Sequence, residues 1–209
     1  IQVSKGNIYV TGVFQGTADF NPWGTPAMLT TVGFYDAFIA KYDTNGNYVF
    51  AKPVSGTGYI DEALDLSLDA SDNMYITGYS GSSSMTFNPL SPGTSTVTNP
   101  GGGANYDIFI AKYTSAGLYQ WGTVLGGTGD DMGWGVDVSG GNVFFTGDFK
   151  NTVDMDPSGV VSNLVSAGGL DLYVTKYDLS GNYICGFRVG SNTTDDIGYR
   201  LTHDVAGNI

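Results

Sequence analysis

The sequence has one cysteine, one histidine and one glutamate in 209 residues, namely Cys185, His203 and Glu62. A single cysteine allows no internal disulfide, so the hydrophobic core has to hold the fold together by itself. A single histidine leaves one candidate base for a Ser-His-Asp or Cys-His arrangement, and the sequence contains no GxSxG motif. The residues therefore do not mark a nucleophilic catalytic centre.

Basic residues are also scarce, with 8 Lys and Arg against 20 acidic residues and a formal net charge of −12. Nucleic-acid binding needs Lys and Arg to displace counterions from phosphates, so we exclude that class of partner. No apolar run approaches the roughly 18 residues of a membrane span. The chain starts without an initiator Met or a signal peptide and stops inside a repeated phrase, so we expect a segment of a longer chain.

The acidic residues that are present are almost all aspartates, and they accompany 32 glycines and 14 tyrosines. Asp competes for backbone hydrogen bonds and favours turns, whereas Glu favours helices. This composition predicts strands joined by turns.

Two phrases recur along the chain. DAFIAKYD at 36–43 returns as DIFIAKYT at 107–114 and DLYVTKYD at 171–178. The second phrase recurs every 66 to 69 residues, as GNIYVTG from Gly6, DNMYITG from Asp72 and GNVFFTG from Gly141, and it begins again at Gly207. A long regular interval is typical of stacked or radial arrays of one structural unit.

Each unit contains four short segments of strand character separated by Gly, Asn, Asp and Ser, and four strands make one propeller blade. We therefore predict an all-β chain of about three four-stranded antiparallel blades plus a terminal strand over 197–203. It forms a single β-propeller repeat domain, 1–209, with units at 1–58, 59–127 and 128–193 and the start of the next at 194–209. Because closed propellers have 4 to 8 blades, either a longer chain or identical chains must complete the ring.

Alternation within the strands predicts which side chains share a face. In the first strand of each unit, Leu64 and Leu66 are expected on one face, as are their equivalents Trp134 and Val136. Each unit has one lysine at the same position of its third strand, namely Lys41, Lys112 and Lys176. We expect these side chains to reach solvent or an Asp.

With these motifs in place, the chain resembles the bacterial SBBP-type β-propeller repeat proteins. The matching phrases are DAFIAKYDTNGN at 36–47, GGTGDDMGWGVDV at 126–138 and the three YVTG segments, which together span essentially the whole chain. The resemblance implies a propeller fold, an extracellular or cell-surface location and a role in binding or surface structure. It carries no catalytic residues over to this sequence.

Acidic pairs before the first strands are candidates for binding. Asp130 and Asp131 could offer oxygens to Ca²⁺ or to sugar hydroxyls, or Asp could accept backbone N–H bonds and hold the loop between blades. Recurrence in every unit favours the second interpretation. Asp154 and Asp156 resemble the start of a calcium loop, but the further acidic ligands are missing and a Pro-Gly turn is favoured.

Trp23 is the best single candidate for a contact residue, because it follows Pro22 in an insert turn and has no aromatic counterpart in the other units. The Ser/Thr/Gly-rich insert over 80–105 is expected to form a surface excursion, where binding function tends to lie. We predict a non-enzymatic extracellular binding or adhesion module without a cofactor, with a carbohydrate-binding propeller as the alternative and a polysaccharide hydrolase or lyase as a third possibility. The expected partner is a cell-surface protein or glycan.

Overall fold

The computed structural model describes residues 1–90, 93, 95–204 and 206–209, which form strands and turns without an α-helix. Three residues of the insert over 80–105, at 91, 92 and 94, lie outside the described residues. In chain order the strands are β1 (Gln2–Ser4), β2 (Asn7–Asp19), β3 (Met28–Asp43), β4 (Tyr48–Gly56), β5 (Asp61–Leu68), β6 (Met74–Ser80), β7 (Ser84–Thr86), β8 (Thr96–Thr98), β9 (Asp107–Tyr113), β10 (Tyr119–Leu125), β11 (Met132–Ser139), β12 (Asn142–Phe149), β13 (Thr152–Asp154), β14 (Asn163–Val165), β15 (Asp171–Asp178) and β16 (Tyr183–Val189).

These strands form three consecutive propeller-like blades. Blade 2 is the antiparallel sheet β5-β6-β9-β10, and blade 3 is the antiparallel sheet β11-β12-β15-β16. Blade 1 consists of β2, β3 and β4, and the short β1 occupies part of the place that β5 and β11 fill in the other blades. The all-β prediction and the four-stranded antiparallel unit are thus confirmed.

The terminal strand predicted over 197–203 is not formed. These residues lie against blade 3, where the Tyr199 ring is 5.5 Å from that of Trp134 and His203 Nδ1 is 2.6 Å from Asp137 Oδ2. A strand needs a backbone partner, and β5 and β11 obtain theirs from β6 and β12. Among the described residues, no second strand lies beside 197–203, so the segment packs as a chain without a ladder.

The two larger cores of the molecule lie between blades, and a smaller cluster around Phe14, Phe20 and Ala40 lies within blade 1. One cluster joins Tyr9 and Ile39 of blade 1 to Leu66 and Phe109 of blade 2, and a second joins blade 2 to blade 3. Blade 2 is therefore covered on both faces. This arrangement accounts for the repeated sequence, because equivalent residues bury equivalent neighbours at each junction.

The inserts between second and third strands pack against the blades, and β7 in the insert of blade 2 also pairs with the end of β4 in blade 1, with Ser55 opposite Thr86. In blades 2 and 3 they contain the hairpins β7-β8 and β13-β14, and in blade 1 the insert prolongs β2 and β3. Each insert is fixed by a tyrosine hydroxyl from the third strand that donates to a carbonyl in the motif DFNP, TFNP or DMDP, over 2.5–2.9 Å: Tyr42 to Phe20, Tyr113 to Phe87 and Tyr177 to Met155.

The repeated lysines contact the next blade. Lys41 Nζ donates to the Ser115 carbonyl over 3.1 Å, and Lys112 Nζ donates to the Leu179 carbonyl over 2.7 Å. Each ammonium also lies over an aromatic ring of its own blade, that of Tyr9 or of Tyr75. The backbone carbonyl in the neighbouring β-turn is an acceptor that the sequence did not predict, and Lys112 also lies near Asp69 and Asp178.

Candidate functional site

Buried carboxylates cluster at one end of the blades, which we call the loop end. The first and third strands of each blade begin at this end. Asp61 and Asp131 lie at the start of first strands or in the turn just before them, and Asp107 and Asp171 lie at the start of third strands. All four side chains are fully buried. The loop end therefore combines carboxylates from neighbouring blades in the interior of each junction.

Asp131 holds the connection between blades 2 and 3. Its carboxylate accepts the backbone N–H groups of Lys150, over 2.8 Å, and Gly127, over 3.0 Å. The Gly127 N–H is also 3.2 Å from Asp107 Oδ1, so the two carboxyl groups face each other. Burial raises the pKa of Asp131 to about 8, with a further contribution from Asp107, whose own pKa burial raises to about 6. Because backbone N–H groups already donate to both of its oxygens, Asp131 stabilises the loop between blades 2 and 3.

Asp130 takes a different position, on the surface of the loop end. Its Oδ1 accepts the Tyr106 N–H over 3.0 Å, and the equivalent Asp195 accepts the Leu170 N–H over 2.9 Å. Both residues are exposed. The adjacent pair predicted as one ligand site is thus divided between a buried carboxyl group and an accessible one.

A cavity of about 350 Å³ opens at the loop end of blade 3. We call it the Trp134 cavity, and its lining residues are Asp130, Met132, Trp134, Asp148, Lys150, Leu170, Asp195 and Ile197. It combines one indole ring, three carboxyl groups and one ammonium group in a single depression. A second cavity of about 260 Å³ borders Asp130 on its other side and includes Tyr59 and Tyr106.

A β-bulge aims Trp134 into this cavity. In the β11-β12 ladder Gly133 pairs with Gly147 and Gly135 with Thr146, which leaves Trp134 unpaired. β5 has the same bulge at Leu64. The extra residue reverses the alternation, so the prediction that Trp134 and Val136 share a face, and likewise Leu64 and Leu66, was wrong.

Asp148 lies at the edge of the Trp134 indole and accepts a hydrogen bond from its Nε1–H. The carboxyl group is buried, and burial raises its pKa to about 6, while the Trp134 hydrogen bond lowers it and Asp195 and Asp130 raise it. The indole ring is thus held by this hydrogen bond and by its contact with Tyr199, while the carboxyl groups of Asp130 and Asp195 remain accessible. Such a set of groups can accept hydrogen bonds from ligand hydroxyls while the ring packs against an apolar ligand face.

Trp134 and Asp148 were not predicted as binding residues from the sequence. A signal was present, because Asp148 stands where the other units have Val13 and Tyr79, and Trp134 stands where blade 2 has Leu64. A ligand site confined to one unit departs from the repeat in this way. The bulge brings Trp134 and Asp148 together, and its position depends on how the strands pair.

The remaining predicted residues lie outside the Trp134 cavity. Trp23 is 91% exposed in the turn between β2 and β3. Asp154 Oδ1 accepts the N–H groups of Asp156 and Ser162, over 3.1 and 2.8 Å, and Asp156 Oδ1 accepts that of Ser158. Within the described part of the chain, no group of three or more His, Cys, Asp or Glu side chains is placed to hold a metal ion.

No protein-family model matches the chain. Over 189 residues, 85% of this chain, it is 27% identical to an uncharacterized WD repeat-containing protein of Acanthamoeba polyphaga mimivirus. The match covers 13% of that protein, so the chain corresponds to a small part of this relative's length. The similarity and the blades together support a repeat protein of β-propeller type. The described residues include no helix of the length and apolarity that a membrane crossing requires.

Proposed function

We propose that this protein is a non-enzymatic binding module that takes its ligand in the Trp134 cavity. The observation that carries this proposal is the bulge in β11, which directs the indole into a depression beside Asp130, Asp148 and Asp195. Bulges re-aim side chains at functional sites, and here the re-aimed residue is a large aromatic one. The propeller scaffold supplies rigidity, and the loop end supplies the contacts.

The ligand class that fits these groups best is carbohydrate. An indole ring packs against the apolar face of a sugar ring, and carboxylate oxygens accept hydrogen bonds from its hydroxyl groups. Lys150 adds a donor on the cavity wall. The net charge of −12 makes a polyanionic glycan an unsuitable ligand, so we favour a neutral saccharide.

We further propose an extracellular or cell-surface location with a surface glycan or protein as partner. The support for it is the resemblance of the DAFIAKYDTNGN and YVTG phrases to the bacterial SBBP-type repeat proteins.

Tryptophan fluorescence and calorimetry with a panel of soluble neutral oligosaccharides test the proposal. We expect Trp134→Ala to weaken binding by roughly 5- to 150-fold, since loss of a stacking aromatic costs roughly 1–3 kcal/mol. Trp23→Ala is the matched control, because Trp23 is exposed and lies outside the cavity. Binding that survives Trp134→Ala and disappears with Trp23→Ala would place the site in the insert of blade 1, and no binding to any saccharide would contradict the carbohydrate assignment.

A polysaccharide hydrolase is the second candidate, favoured by one observation. Asp148 has a pKa raised to about 6 by burial, and the accessible carboxylates of Asp130 and Asp195 line the same cavity. Glycoside hydrolysis uses one carboxylic acid and one carboxylate in this way. If the protein releases reducing ends from a glycan and Asp148→Asn abolishes this activity, the protein is a hydrolase and the non-enzymatic assignment is wrong.

A further inference from the structure

A second cavity lies beside the Trp134 cavity at the loop end, and we call it the Tyr59 cavity. It has a volume of about 260 Å³, and it is lined by Tyr59, Asn105, Tyr106 and Asp130 together with small residues. Asp130 also lines the Trp134 cavity. The two cavities therefore share one wall.

The two cavities are the same feature of the repeat in consecutive blades. Three lining residues of the Tyr59 cavity are equivalent to residues that line the Trp134 cavity one repeat later: Gly81 to Lys150, Tyr106 to Leu170 and Asp130 to Asp195. Radial repetition places equivalent depressions of neighbouring blades side by side. A ligand longer than one cavity can therefore continue from blade 3 onto blade 2.

The Tyr59 cavity has an aromatic surface of its own. Tyr59 is 63% exposed, and its ring stacks on that of Phe34, with the ring centroids 5.0 Å apart and 7° between the planes. On the other strand connection, the Tyr106 ring packs against that of Tyr79 at 5.0 Å. Exposed aromatic rings of this kind offer an apolar face and a hydroxyl group to one ligand.

Backbone hydrogen bonds hold both aromatic residues in place. The Tyr59 carbonyl accepts the Tyr35 N–H over 3.0 Å, and the Tyr106 carbonyl accepts the Asp131 N–H over 2.7 Å. The Tyr106 N–H donates in turn to Asp130 Oδ1. Because these backbones are ordered before a ligand arrives, binding loses little conformational freedom.

Asp130 lies at the boundary between the cavities and is the only charged residue that lines the Tyr59 cavity within the described part of the chain. Its Oδ1 accepts the Tyr106 N–H, and among the described residues its Oδ2 accepts no hydrogen bond. A ligand hydroxyl group that crosses the boundary can therefore donate to Oδ2. The lack of a cation in this lining disfavours an anionic ligand.

We propose that the Tyr59 cavity and the Trp134 cavity are two subsites of one groove, which binds a linear neutral oligosaccharide across Asp130. One sugar unit packs against Trp134, and a later unit of the same chain packs against Tyr59. This inference rests on the carbohydrate binding proposed for the Trp134 cavity and adds the length and the path of the ligand. Since the two contacts belong to one molecule, the second contact forms at a high effective concentration.

Calorimetry with cello-, malto- and manno-oligosaccharides of one to six sugar units tests the groove. We expect the oligosaccharide that spans both subsites to bind at least tenfold more tightly than its monosaccharide. Tyr59→Ala should abolish this gain and leave the dissociation constant of the monosaccharide unchanged, whereas Trp134→Ala should weaken the binding of both. Trp23→Ala is the matched control, because Trp23 is an exposed aromatic residue outside both cavities.

Tyr106→Leu is a second variant, which introduces the residue that blade 3 has at the equivalent position, Leu170. It should also reduce the gain with ligand length, and it decides the question if Tyr59→Ala does not fold. Circular dichroism verifies the fold of each variant.

Three results would overturn the groove. If the affinity depends on Trp134 but does not change with ligand length, the Trp134 cavity binds sugar alone, and the proposed function stands without the second subsite. If the gain with length survives both Tyr59→Ala and Tyr106→Leu, the longer ligand follows another path. If no saccharide of any length binds, the carbohydrate assignment is wrong and the groove is wrong with it.

Discussion

At the scale of single residues, the buried pair of Asp107 and Asp131 links stability to pH. A proton on Asp131 allows a hydrogen bond between the two carboxyl groups. If both groups were ionised, the two buried carboxylates would repel each other. The folded chain therefore favours the protonated form. Asp148 is the other charged group close enough to add to this effect.

We expect the free energy of unfolding to fall as the pH rises toward 8. The pKa of Asp131 is about 8 in the folded chain and about 4 in an unfolded one, so the folded state binds the extra proton in between and stability decreases with rising pH. Asp61, Asp107 and Asp148, with pKa values raised by burial to about 6, act in the same direction at lower pH.

Thermal melts between pH 5 and pH 9 measure this slope. Asp131→Asn, which keeps a neutral side chain at every pH, should flatten the curve between pH 6 and pH 8. Asp130→Asn alters the neighbouring exposed carboxylate and should leave the slope unchanged. An Asp131→Asn protein with the full slope would show that another group carries the proton.

At the scale of strands, the bulge in β11 places Trp134, and it requires a glycine on the paired strand. A Cβ at Gly147 would overlap the Met132 carbonyl oxygen, because the bulge draws the two backbones together. The glycine of the repeated YVTG phrase is therefore explained by its partner strand in blades 2 and 3. In blade 1 the equivalent Gly12 has no first strand beside it in the single chain.

Gly147→Ala should destabilise the protein by about 1–3 kcal/mol, the usual cost of overpacking, and should also disturb the Trp134 cavity. Denaturant unfolding measures the first effect, and Trp134 fluorescence reports the second. Gly12→Ala is the control and should cost far less, because an added Cβ there meets only the Phe38 side chain. Equal losses for the two variants would indicate that both glycines are needed for the strand itself.

At the scale of the whole molecule, stability is shared among the blades. Tyr75 and Ile108 of blade 2 pack with Val136 and Phe145 of blade 3, and the opposite face of blade 2 packs with blade 1. Blade 1 has a small core of its own around Phe14, Phe20 and Ala40, and the two larger clusters among the described residues are shared between blades. A blade that separates from its neighbour exposes half of a shared cluster, so the blades should unfold together.

Calorimetry should therefore show one transition, with equal calorimetric and van't Hoff enthalpies. Phe109→Ala, in the cluster between blades 1 and 2, should lower the midpoint of that single transition, since the substitution costs about 3–5 kcal/mol. Two resolved transitions in this variant would show that blade 3 folds independently of blade 1.

The architecture of this chain followed from local pattern. Repeated phrases, alternation and turn residues lie within a few residues of one another, and they predicted four-stranded blades that bury one another's faces. Trp23 was predicted in an insert turn, and it lies in the turn between β2 and β3 with its side chain exposed. The contact function of Trp23, the metal alternative at Asp154 and Asp156 and the surface location stay predictions.

The repeat and the four-stranded blade could be predicted from the sequence alone, because they depend on residue types at short spacing. Only the tertiary structure decided that Asp131 holds a loop while Asp130 faces a cavity, that Trp134 turns toward Asp148, and that Lys112 reaches Leu179. The reason is physical: ladder register, bulges and burial arise from strands and blades that meet in space, as where Lys112 contacts a carbonyl 67 residues away.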